Sequence, residues 1–162
     1  MSAPSATPRP LDLTLWIDAD SVPRDVREIV FRAAHRLSIA TILVANQRVQ
    51  IPPGHPTVSA VRVEGGADVA DRYIAEHASG GDIAVTHDIP LAAILVEKKV
   101  VVIDPRGVEH TANTIGERLS VRDFMENLRS VGVDTGGPGA FTAKDKQAFA
   151  AALDRTLTRL RR

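Results

Sequence analysis

Two aspartates one residue apart, Asp18 and Asp20, close the apolar run "LDLTLWIDA". Like charges at the mouth of a buried strand repel, and a cation between them removes that penalty. Three further acids share the pattern: Asp68 and Asp71 in "GGADVAD", and Asp88 in "THD". Clusters of carboxylate oxygens hold hard divalent ions such as Mg²⁺ or Mn²⁺. Such an ion can activate water and stabilise the leaving oxygen of a phosphodiester. Asn46, which ends the apolar run "ATILVAN", can orient a water or a metal-bound group at the same edge. Each acid also has a local structural reading. Asp20 can cap a helix, Asp68 and Asp71 can favour a helix dipole from the first turn, and Asp88 can cap the helix that follows.

These side chains meet only if the elements carrying them end on one edge. "LDLTLWIDA" reads as a strand. "PRDVREIVFRAAHRLS" reads as a helix with Val26, Ile29, Val30, Ala33, Ala34 and Leu37 on one stripe, started by Pro23 and capped by Asp20 or Ser21. "ATILVAN", "TVSAVRVE", "GGDIAVTHD" and "VVVIDPRG" read as four more strands, the first of them a continuous apolar run suited to a central parallel position. "GGADVADRYIAEHAS" and "IPLAAILVEKK" read as helices between them. This alternation predicts an α/β fold: a three-layer αβα sandwich with a mostly parallel sheet of about five strands. Beyond it, "TIGE" and "SVRD" resemble capping boxes and predict two abutting helices over 114–131. The last helix carries Phe149, Leu153, Leu157 and Leu160 on one side. Ligands of open parallel sheets bind beyond the carboxyl ends of the strands. Asp18 and Asp20, Asp88, and the start of the helix carrying Asp68 and Asp71 all fall on that edge.

Composition narrows the classes. The 162 residues suit one domain over 11–162, preceded by a Pro/Ser/Ala leader over 1–10 expected to be disordered. No stretch has the length of an apolar membrane span and no signal layout opens the chain, so a cytoplasmic protein without membrane attachment is expected. The absence of cysteine excludes disulfides, thiolate nucleophiles and cysteine-bound zinc. Twenty basic residues balance twenty acidic ones, so phosphate binding would require cations gathered on one face.

Other residues offer less. His87 adjoins Asp88, while His35 and His77 fall within helices. "GGPG" at 136–139 suggests phosphate contact, and Arg155, Arg159, Arg161 and Arg162 line the last helix, where charges commonly face solvent.

In order along the chain, "IDADSVP", "VANQ", "GGADVAD", "THDIPLA", "DPRG", "RDFM" and "TGGP" resemble the signatures of the YaiI/YqxD-like family of bacterial proteins. The likeness runs from about Leu13 to Leu160. That family is functionally uncharacterised and is grouped with the PIN-like nuclease superfamily. The resemblance implies a PIN-like fold in which Asp18, Asp68 or Asp71, and Asp88 hold Mg²⁺ or Mn²⁺, with Asp20 an additional ligand or support. Members usually carry a cysteine before the proline of the first motif, where Val22 stands in this chain.

The leading expectation is a metal-dependent endoribonuclease or RNA phosphodiesterase. Asp18, Asp20 and Asp88 form its catalytic set, and Asp18, Asp68, Asp71 and Asp88 its metal-binding set. Asn46, Thr86, Arg24 and Arg48 would meet the substrate, RNA. A rival reading takes "DADSV" as the opening of a haloacid-dehalogenase-like phosphatase with Asp18 as nucleophile and Asp20 as general acid. That family places a lysine before its last acidic motif, whereas Lys98, Lys99, Lys144 and Lys146 all follow Asp88. A third reading is a non-catalytic PIN-like RNA-binding or regulatory module. One Trp, one Tyr and four Phe leave few rings for base stacking.

Overall fold

Apolar side chains on both faces of a strand require cover on both sides, and the first strand shows it. In the computed structural model, which describes residues 12–51, 53–136 and 139–161, β1 (Thr14–Asp18) sends Leu15 and Ile17 to one core and Trp16 to the other. Pairing extends from β1 in two directions. On one side lie β2 (Ala40–Ala45) and β3 (Val58–Arg62), and on the other β4 (Ile83–Val85), β5 (Val101–Ile103) and β6 (Glu109–His110). The order is β3-β2-β1-β4-β5-β6, parallel throughout except for β6, which runs antiparallel to β5. The sheet thus has six strands, one more than expected. The additional strand is two residues long and arises as the "DPRG" turn folds the chain back on β5, too short to leave a periodic signal.

Helices α1 (Arg24–Leu37) and α5 (Ala143–Leu160) cover one face. The stripe expected for α1 is the one that packs: Val26, Val30, Ala33 and Ala34 are buried. On α5, Phe149, Leu153 and Leu157 are buried beside them. Helices α2 (Ala67–His77) and α3 (Ile89–Glu97) cover the other face, with Ala70 and Ile74 of α2 and Leu91, Ala92 and Leu95 of α3 packed around Trp16, Val44 and Val102. The three-layer α/β arrangement read from the sequence is therefore the fold.

Two local expectations fail. Neither Asp20 nor Ser21 caps α1; its N-cap is Pro23, which has no side-chain acceptor to offer. Both side chains are engaged elsewhere, Asp20 with the Asn46 amide and Ser21 with Asp18. The segment 114–131 forms one helix, α4 (Ile115–Ser130), not two. Ser120 donates its hydroxyl to the Gly116 carbonyl one turn back, a bond made inside a running helix, so "SVRD" starts nothing. Thr114 exchanges bonds with Thr111 and makes no side-chain cap. The leader over 1–10 lies outside the described residues, as do positions 137 and 138 of "GGPG". Among the described residues no helix is long and apolar enough to cross a membrane.

Close packing fixes one turn. Gly107 has φ 89°, and a Cβ there would stand 2.6 Å from the Ala148 backbone of α5. Only glycine allows the β5–β6 turn this approach to the helix. Arg106 secures the same corner, donating to Asp145 Oδ2 at 2.7 Å and lying 5.9 Å from the centroid of the Phe141 ring.

Candidate functional site

The chain leaves β1 for β2 and β3 on one side and returns to β4 on the other, so a crevice opens beyond the carboxyl ends of β1 and β4. Register places Ile17 opposite Val85, so Asp18 and Thr86 emerge side by side. The crevice holds a cleft of about 410 Å³ whose walls include Asp18, Asp20, Asp71, His87 and Asp88.

Asp18 is 5% exposed, an unusual position for a carboxylate, and two hydroxyls support it. Ser21 Oγ and Thr86 Oγ1 each donate to its Oδ2 at 2.9 Å. Burial outweighs these bonds, and with Asp88 and Asp20 nearby the carboxyl stays protonated to higher pH than usual. Both hydroxyls also accept a main-chain N–H from the segment after β4: Ser21 from His87 at 3.1 Å and Thr86 from Asp88 at 3.0 Å. Asp88 Oδ1 in turn accepts from the Leu91 amide at 2.8 Å, capping α3 as its position before "IP" suggested.

Asp71 reaches the same cleft from α2. Partial burial, then Asp88 and Asp18, push its carboxyl up to about 7, and its side chain lies within hydrogen-bonding reach of Asp88. Like charges so close disfavour the ionised form of Asp71. Asp68 is exposed on the first turn of α2 and does not line the cleft, although its charge still raises Asp71. Residues three apart are neighbours on a helix, but Asp68 stands one turn nearer the start of α2, and Asp71, next to the inward Ala70, is the one that lines the cleft.

Asp20 has a tethering position. Its Oδ2 accepts the Asn46 amide at 2.8 Å, joining the loop after β1 to the loop after β2. It also borders a second, larger hollow of about 1670 Å³ beside the first, where Arg24, Asn46 and Arg48 are found. Thr86 is buried and faces Asp18. The candidate residues therefore divide into a carboxylate rim and an adjoining polar cleft that meet at Asp20.

Two contributors, Arg122 and the Asp104 partner of His87, left no signal in the sequence. Arg122 of α4 borders the acidic cleft, its guanidinium paired with Asp123 and Glu126 of its own helix, and no local pattern could foretell which side of the sheet that helix would overhang. His87 Nδ1 lies 3.1 Å from Asp104 Oδ2 across 17 residues of sequence. The Asp104 bond raises the imidazole pKa, while His87 and the Arg106 amide hold Asp104 low despite burial. Asp104 of "DPRG" thus braces His87.

A metal ion has a compatible but unassembled donor set. Among the described residues no three His, Asp or Glu side chains stand in the arrangement of a ready-made ion centre. Asp18, Asp71 and Asp88 nevertheless offer oxygen donors alone, the chemistry suited to a hard divalent cation. Burial first, and then the charge of Asp88, raises the pKa of two of the three, Asp18 and Asp71.

Comparison with known proteins covers the same stretch of chain. Residues 16–159 match the family model described as "Uncharacterized BCR, YaiI/YqxD family". The chain is 54% identical over 143 residues to a UPF0178 protein of Bordetella petrii, covering 88% of this chain and 95% of that one. It is likewise 54% identical over 148 residues to a UPF0178 protein of Myxococcus xanthus, covering 91% and 96%. A UPF0178 protein of a Shewanella species is 51% identical over 148 residues, covering 91% and 97%. Matched over nearly its whole described length, this chain belongs to the YaiI/YqxD family.

Proposed function

We propose that this chain is a metal-dependent phosphodiesterase acting on RNA, with Asp18, Asp71 and Asp88 as the ligand set. The observation that carries the reading is the convergence of Asp18, Asp71 and Asp88 on one cleft, where burial, Asp88 and Asp18 push the Asp71 carboxyl up to about 7. A group so placed favours any ligand that brings positive charge. When bound, a divalent ion would supply Lewis-acid activation of water and stabilise charge on the departing oxygen. The resemblance to PIN-like nucleases, which gather acids on the same sheet edge, supports the same assignment.

The chain's own residues do the positioning. Ser21 and Thr86 hold Asp18 by one oxygen, and the Leu91 amide holds Asp88 by one oxygen, so both carboxylates are oriented before a ligand arrives. Arg122 borders the cleft while paired with Asp123 and Glu126, and a phosphate there would compete with those carboxylates for its guanidinium. Arg24, Arg48 and Asn46 stand in the adjoining cleft, where the rest of a polymeric substrate would lie.

A phospho-aspartyl reading of Asp18 and Asp20 has less support. Asp20 already accepts the Asn46 amide. Lys98 follows the end of α3 remote from Asp88 and donates to the Ala75 carbonyl at 2.6 Å.

The test is cleavage of end-labelled RNA by the purified protein with Mn²⁺ or Mg²⁺. Hydrolysis that falls about 100-fold or more in both Asp18→Asn and Asp88→Asn is the expected result, as loss of an ion worth several kcal/mol requires. Trapping of a phosphorylated Asp18 would replace this reading with the phosphatase. RNA binding without turnover under every metal condition would replace it with a non-catalytic module.

A further inference from the structure

The larger hollow at this edge is a built feature, and its lining is chemically particular. It lies between the first turns of α1 and the segment that follows β2, with about 1670 Å³ of space. Pockets for single small molecules occupy roughly 300–1,000 Å³, so this one suits a length of polymer. Arg24, Arg27 and Arg48 line it against Asp20 and Glu28, leaving one net positive charge. Through Asp20 it runs into the carboxylate rim.

Two of its lining residues each carry a buried polar atom with no hydrogen-bond partner in the protein: the donor Arg27 Nε and the acceptor Asn46 Oδ1. Each such orphan costs about 1–3 kcal/mol in the free protein. Asp20 accepts the Asn46 main-chain amide and so holds the backbone of this residue at the edge of the hollow. A ligand that relieves both must bring an anionic oxygen for the guanidinium and a hydroxyl for the amide oxygen. The backbone of RNA carries both, as phosphate and ribose 2′-OH, whereas DNA lacks the second. Phe31 is the one aromatic residue among the lining side chains, and it is buried in the α1 core, so recognition falls on the backbone and not on stacked bases.

We propose that this cleft is a single-stranded RNA groove in which Arg27 takes a backbone phosphate and Asn46 accepts the ribose 2′-hydroxyl. The inference rests on the hydrolase reading for the fate of the strand, but not for its binding.

Fluorescence anisotropy with the full chain in EDTA tests it, using a labelled single-stranded RNA and DNA of one sequence across a salt series. RNA is expected to bind at least about fivefold tighter than DNA, the equivalent of one hydrogen bond. Asn46→Ala keeps the main-chain amide and should abolish that preference by weakening RNA alone. Arg27→Ala should weaken both strands and lower the salt slope by about 0.7, the value of one phosphate contact on single strands. Arg48→Ala, at an exposed position, should do the same and guards against a folding defect in the Arg27 variant. Equal affinity for RNA and DNA, or wild-type binding by both arginine variants, overturns the groove. Cleavage decides a separate question. RNA that binds with this pattern and is never cut overturns the hydrolase and leaves the groove standing; RNA that is cut with no change in the three variants does the reverse.

Discussion

Thr86 Oγ1 donates to Asp18 Oδ2 at 2.9 Å and accepts the Asp88 amide at 3.0 Å, so a single hydroxyl sets the positions of both acids. Ser21 duplicates the device, donating to Asp18 and accepting from His87. The rim is therefore a pair of hydroxyl rungs between the end of β1 and the turn after β4.

Thr86→Val keeps the shape of the side chain and removes the rung. A buried carboxylate and a main-chain donor each lose a partner, which should cost about 1–3 kcal/mol in urea unfolding. Asp18→Asn combined with Thr86→Val should fall short of the sum of the two single changes, because the side chains are in contact.

Stability should fall as pH rises through the range set by Asp71. In the unfolded chain its carboxyl ionises near ~3.9, and in the folded protein only at about 7. Between these values the folded state holds the additional proton. Its contribution is complete below about 4 and is lost on passing about 7. Asp18, raised in the same direction, adds to the slope. Asp71→Asn should flatten the denaturation-midpoint profile between about pH 4 and 7 and be more stable than wild type at about pH 8. A profile unchanged by that substitution would show that Asp71 does not feel its neighbours.

Metal should act on the same charges. Mn²⁺ at millimolar concentration is expected to raise the melting temperature of the wild type, since a ligand stabilises the state it binds. EDTA should reverse the rise, and Asp88→Asn should abolish most of it. An equal rise in Asp88→Asn would place the ion elsewhere.

Asp82 provides the contrasting acid. It accepts the Thr14 amide at 2.9 Å, Trp16 Nε1 at 3.0 Å and the Ser79 amide at 2.9 Å, at the amino end of the sheet away from the rim. Asp82→Ala should destabilise by about 2–4 kcal/mol by stranding these donors. Trp16 is the sole tryptophan, so its fluorescence reports this change directly. RNA binding by the remaining folded protein should be unchanged.

Gly107→Ala should destabilise by about 2 kcal/mol or more, combining a positive φ with a collision against α5. Thermal unfolding measures it, and a neutral result would mean that α5 can move off the turn.

Much of this arrangement is written locally. The period of the α1 stripe and the apolar strand runs fix the three layers, because each pattern buries its apolar side in only one way. Asp18, Asp20, Asp68, Asp71 and Asp88 could be assigned to one edge because parallel strands bring all their carboxyl ends, and the starts of the helices after them, to the same side. The capping reading of Asp88 held for a related reason: its partner, Leu91, is three residues away. The capping readings of Asp20 and Ser21 failed because each side chain found a partner across the crevice, the Asn46 amide and the Asp18 carboxylate.

What the sequence determined by itself was the order of elements, their inward faces and the edge on which the acids gather, all consequences of short-range periodicity and chain direction. Only the tertiary structure decided that Asp71 and not Asp68 turns into the cleft, that Arg122 arrives from α4, and that Asp104 braces His87. Those are contacts between segments far apart in the chain, and their partners are chosen by how whole helices pack against the sheet.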